Sequence, residues 1–171
     1  MNQATRYDLV PDLTDFAQMW LSLQLLAAKK IPNKELIAPS IRLIAGDLIK
    51  IFNGNDRWSA TEMNISEAAM IASGLAIVRV ENERFIADLA DIIRQHLRDG
   101  SGMDLILLTK GAFYMRKFEH ANDIYAKVHA QCMSLFNLQK LSQQEISILT
   151  SLFTQQDVMH DSPFVEARVS R

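Results

Sequence analysis

A helix-start signature that occurs four times constrains this chain more than any other sequence feature. Asp12-Leu13-Thr14-Asp15, Asn64-Ile65-Ser66-Glu67, Ser101-Gly102-Met103-Asp104 and Ser142-Gln143-Gln144-Glu145 each set a short polar residue three positions ahead of an acid. Each opens onto a run rich in Ala, Leu, Ile and Met. The leading side chain can accept from the free N–H groups of a first helical turn. The acid can accept from the leader's own N–H, or lie favourably against the helix dipole. One such signature is common. Four, spaced 52, 37 and 41 residues apart, predict a repeating helical unit.

The stretches between the signatures read as helices. Only 4 Pro and 6 Gly occur in 171 residues, which favours long helices with few breaks over a many-turned β-sandwich. No stretch alternates with period two, so the fold class is all-α. Residues 1–11 form an N-terminal arm closed by Pro11, and 12–171 form a single domain, which this length can fill with one core. Phe16, Met19, Trp20, Leu23, Leu26 and Ala27 recur at helical spacing, and Lys29, Lys30 and Pro32 end that helix. A second helix carries Ile41, Ile44, Leu48, Ile51 and Phe52, with Pro39 in its first turn. Ser59 and Glu62 add a further cap pattern in the connector that follows. Single helices are predicted over about 64–80, 82–98, 103–117, 124–136 and 143–155, with Asp99-Gly100-Ser101-Gly102 as the clearest turn. Ser162-Pro163 starts a last, short helix.

Beyond the caps, the units also align. At a shift of 37, Gly74 pairs with Gly111 and Arg79 with Arg116; at 39, Phe85, Leu89, Ile93 and Leu97 pair with Ile124, Val128, Cys132 and Phe136. At 41, Leu108-Thr109 pairs with Leu149-Thr150. The unit is a helical hairpin of about 37–41 residues, and the architecture expected is an α-solenoid of three to four such hairpins, about 12–53, 64–98, 101–138 and a truncated 142–171. The plainer alternative is a helical bundle whose amphipathic helices happen to share caps and stripes.

A Ser-containing cap with an acid, an apolar first helix with a small residue, and a Phe/Ile-x-x-Leu second helix resemble the heptatricopeptide-type repeats of FAST-kinase-like and RAP-domain organelle proteins, and the similar octotricopeptide repeats. Asn64 to Leu97, Ser101 to Phe136 and Ser142 to Phe153 carry the resemblance. It implies a mitochondrial helical-repeat protein of organelle RNA metabolism, or a structural component of a large ribonucleoprotein such as a mitochondrial ribosome. The sequence departs from that pattern in having no RAP-like segment after the repeats and a slightly acidic charge.

Net charge is −2, so any contact with nucleic acid needs a local basic patch. Arg79, Arg84, Lys110, Arg116 and Lys117 are the candidates, falling near corresponding positions of successive units where stacking would line them along one surface. Phe113 and Tyr114 lie close by, with the core as their default place. The bland reading is a row of solvated cations at helix C-termini, favoured there by the dipole. Leu149, Leu152, Phe153 and Phe164 form the second candidate: the truncated last unit leaves them on an apolar face for a partner subunit.

No catalytic constellation is visible. His129 and Cys132 are three residues apart on one helix, but Cys132 is the single cysteine, and it reads as a small core residue. Ser73-Gly74 lies within a helix and matches no nucleophile elbow, and Gly100-Ser101-Gly102 matches no phosphate loop. No apolar run reaches the roughly 18–20 residues of a membrane span, and neither a secretory nor a transit signal is visible at the N-terminus. The expectation is a non-enzymatic protein without cofactor or metal. Its partners would be other subunits and rRNA or single-stranded RNA. An accessory subunit of a respiratory or ATP synthase complex, or a stand-alone RNA-binding factor, is the alternative.

Overall fold

A computed structural model of the chain describes residues 63–156 and, before them, 19, 20, 22, 39, 40, 42–47, 49 and 50. The arm 1–11, the caps at Asp12 and Ser59, and the segment with Phe164 lie outside the described residues. All described secondary structure is helical, with no strand among these residues. From Ile65 onward the order is α1 (Ile65–Ser73), α2 (Leu75–Val78), α3 (Glu83–His96), α4 (Gly102–Met115), α5 (Ile124–Asn137) and α6 (Gln143–Gln156). Short 3-10 turns follow α3 at Leu97–Asp99 and precede α5 at Glu119–Ala121.

The three described cap signatures all close. Asn64 Oδ1 accepts from the Glu67 N–H at 2.9 Å while Glu67 Oε2 accepts from the Asn64 N–H at 3.0 Å. Ser101 and Asp104 exchange the same pair at 3.2 and 2.8 Å, and Ser142 and Glu145 at 3.2 and 2.7 Å. The starts of α1, α4 and α6 share one edge. A Cβ on Gly100 would lie 3.6 Å from Ile65 Cγ1, and one on Gly102 would lie 2.4 Å from a Glu145 carboxylate oxygen.

The helix α4 is the centre of the packing. It meets α1, α5 and α6, while α3 packs on α1 and α5. That placement explains why the α4 sequence is apolar nearly all round: Leu105, Leu108, Ala112 and Met115 are buried, and so are Ile106 and Thr109. The approach to α1 is very close. A methyl group on Gly111 would fall 2.4 Å from the Ala72 carbonyl oxygen, so only glycine fits, despite costing about 1 kcal/mol in helix propensity against alanine. Ala68, Ala69 and Ala72 on the facing helix are fully buried and equally small.

Several aligned positions behave alike. Phe85 and Ile124, Leu89 and Val128, and Ile93 and Cys132 are all buried pairs. Thr109 and Thr150 each donate their hydroxyl to the carbonyl four residues back, Leu105 and Ile146, both at 2.7 Å. Other positions do not. The expected continuous helix over 64–80 breaks at Gly74, whereas its aligned partner Gly111 lies inside α4. At the break, the Ile71 carbonyl accepts from the Gly74 N–H at 3.2 Å and from the indole N–H of the fully buried Trp20 at 2.9 Å. Trp20 also packs its ring 5.8 Å from Phe85, joining the N-terminal part of the chain to this core.

Both α2 and α5 end through a left-handed residue that is not glycine. Arg79 has φ 58° and Gln139 φ 55°; the following N–H groups of Val80 and Lys140 reach back to Leu75 and Leu135 at 3.0 and 2.9 Å. A clamp from Arg94 on α3 holds the start of α5. Its guanidinium donates to both carboxylate oxygens of Asp123, to the His120 carbonyl and to Asp91.

Candidate nucleic-acid interface

Three of the five candidate cations come together at the C-terminal end of α4. Lys110, Arg116 and Lys117 line an open groove of about 520 Å³ with Ala76, Phe113 and Tyr114. Lys110, Phe113 and Tyr114 have the i, i+3, i+4 spacing of one face of α4, and Lys117 follows just past the helix end, so the two lysines bracket the two rings in the chain.

The aromatic groups fix the cations from beneath. Arg116 lies 5.6 Å from the centroids of both Phe113 and Tyr125, and the Lys117 ammonium lies 4.2 Å from Tyr114 and 5.0 Å from Phe118. Tyr114 is itself anchored, donating its hydroxyl to the Val80 carbonyl at 2.7 Å. Phe113 meets Tyr125 edge-on at 5.9 Å. Tyr125 is pushed up to about 12 by burial, against the lowering field of Arg116, and so remains a phenol; its hydroxyl is 2.7 Å from Gln156 Oε1. Lys117 has Glu81 at 3.8 Å, whereas no described carboxylate pairs with Lys110 or Arg116. The groove is therefore net positive on a chain whose total charge is negative.

Arg79 and Arg84 do not line the groove. Arg79 is exposed at the left-handed end of α2, and its backbone differs from that of its aligned partner Arg116, which has φ −56°. Arg84 is exposed in the first turn of α3, 4.0 Å from Asp88. Phe113 reverses its expected role: it is 39% exposed, not a core residue. The pattern of lysines around the ring pair was the available signal, masked because α4 is apolar on every other side.

The apolar candidates also need correction. Leu149 and Phe153 are fully buried and so cannot form a free docking face; Phe153 turns inward to pack 6.1 Å from Tyr125 and 4.9 Å from His129. Leu152 is half-buried, and Phe164 lies outside the described residues. His129 and Cys132 are packed in the same region. Burial lowers the His129 imidazole pKa and pushes the Cys132 thiol up to about 12, which keeps both neutral near pH 7.

No helix among the described residues is long and apolar enough to cross a membrane. Comparison of the chain with protein-family models, curated proteins and solved structures finds no match.

Proposed function

We propose that this chain is a non-catalytic helical-repeat subunit of a large ribonucleoprotein assembly. Its hairpins would stack as a solenoid, and its groove at the end of α4 would contact RNA. The observation that carries the reading is the convergence of Lys110, Arg116 and Lys117 around Phe113 and Tyr114. A run of phosphates answers such a cluster, and the rings hold Arg116 and Lys117 in place before any ligand arrives. The solenoid element is supported by α4 packing on both α1 and α6, each opened by the same cap, with α3 and α5 paired beside them. The organelle setting, with a mitochondrial ribosome as the leading assembly, rests on the resemblance of the repeats alone.

A second reading is a protein–protein scaffold within a membrane-associated or other complex. The exposed Leu43, Ile44, Met103 and Leu138 favour it, since apolar side chains left in water suit a subunit contact. Binding of the purified chain to an RNA with both paired and unpaired segments over a salt series separates the two. Three phosphate contacts give log K a slope of between about −2 and −3 against log salt. Lys110→Glu with Lys117→Glu should abolish that binding. Absence of RNA binding, with native purification returning protein subunits only, selects the scaffold.

A further inference from the structure

We propose that the groove takes an unpaired stretch of RNA, one base stacked on Phe113 with its flanking phosphates on Lys110, Arg116 and Lys117, so that single strands and not duplexes are its ligand. This rests on the RNA reading above and specifies the form of RNA. Cations alone cannot make the distinction, because a phosphate backbone is present in both forms. The rings can.

Phe113 is the one Phe or Trp in the exposed class among the described residues. It lines the groove together with Lys110, three residues before it on α4, and Lys117, just past the end of that helix. An exposed ring flanked by cations on either side matches the two needs of a single strand: a flat apolar face for the base and positive charge for the phosphates beside it. In a duplex the base faces are already stacked on one another, and the ring has nothing to meet.

The site is also prepared in advance. Tyr125 supports Phe113 edge-on at 5.9 Å, and Tyr125 is itself held by Gln156 from the end of α6. Tyr114 is tied to the Val80 carbonyl. Arg116, 5.6 Å from the centroids of Phe113 and Tyr125, keeps its guanidinium close enough to shift from the rings to a phosphate without leaving the groove. The rings and Arg116 therefore have little side-chain freedom left to lose on binding.

The test is fluorescence anisotropy of the full chain with an unstructured RNA of about 12 nucleotides, a duplex RNA of equal length, and inorganic polyphosphate as a charge control. The single strand should bind at least about tenfold more tightly than the duplex. Phe113→Leu should weaken single-strand binding by roughly 5- to 100-fold but polyphosphate binding by less than about twofold, since Arg116 keeps its contact with Tyr125, and Phe113→Trp should retain both. Circular dichroism of both variants checks that the fold is kept. Equal binding of single strand and duplex, or indifference to Phe113→Leu in a folded variant, overturns base recognition and leaves the RNA reading in place. Failure of wild-type protein to bind either RNA overturns both.

Discussion

The two ends of α4 are built from opposite chemistry. At its N-terminal end, three capping boxes crowd together, and their acids are spent on backbone N–H groups: Glu67 and Asp104 are buried within them. At its C-terminal end, about 20 Å away for 14 residues, Arg116 and Lys117 stand in solvent over aromatic rings, and Lys110 lines the same groove. Polar groups at the first end satisfy the protein's own backbone. Those at the second have cationic donors left over. The difference separates the charges the fold consumes from those it leaves for a ligand, and the proposed RNA contact belongs to the second set.

Substitutions can break this comparison in graded steps. The largest effect belongs between the ends, where α1 and α4 touch. Gly111→Ala places a methyl group 2.4 Å from the Ala72 carbonyl and should lower stability in urea unfolding by about 2–3 kcal/mol, overriding any gain in helix propensity. Ser101→Ala removes a cap at the first end and should cost about 1 kcal/mol by the same measurement, with RNA affinity unaltered. Asn64→Ala should act similarly.

The Arg94 clamp should contribute less, because both partners are partly exposed and solvent screens them. Hydrogen bonding to Arg94 holds the Asp123 carboxyl below its ordinary value of 3.8. A depressed acid stabilises the fold above its unfolded pKa and loses that contribution as pH falls through the folded one. The stability gap between wild type and Arg94→Met should therefore be full at pH 6 and shrink below about pH 4 in a pH series of denaturant curves. Smallest of all, Lys110→Ala should change stability by no more than about 0.5 kcal/mol, since Lys110 is exposed and makes no described ion pair.

How much of this could be read in the sequence follows from the range of each interaction. The caps were legible because each closes over three residues: Asn64 to Glu67, Ser101 to Asp104, Ser142 to Glu145. The all-helical character was legible from the same periodicity. The break at Gly74 was not, because the indole of Trp20, 51 residues from Ile71, helps satisfy the carbonyl there. Nor was the Arg94 clamp, whose partner Asp123 is 29 residues away. The inward turn of Leu149 and Phe153 escaped for a related reason: an amphipathic stripe tells that a face is apolar but not whether the chain itself already covers it. Periodicity does not single out the exposed face that carries Phe113, because α4 is apolar on nearly every side.

The most direct test measures RNA affinity and urea unfolding together on two variants, Ser101→Ala and the double variant Lys110→Glu with Lys117→Glu. The account predicts a crossed result: the first loses about 1 kcal/mol of stability and keeps its affinity, while the second loses its RNA and no more than about 0.5 kcal/mol, because the Lys117–Glu81 pair it breaks is exposed. If both properties fall together in either variant, or if RNA binding survives the double charge reversal, the division of labour between the two ends of α4 is wrong.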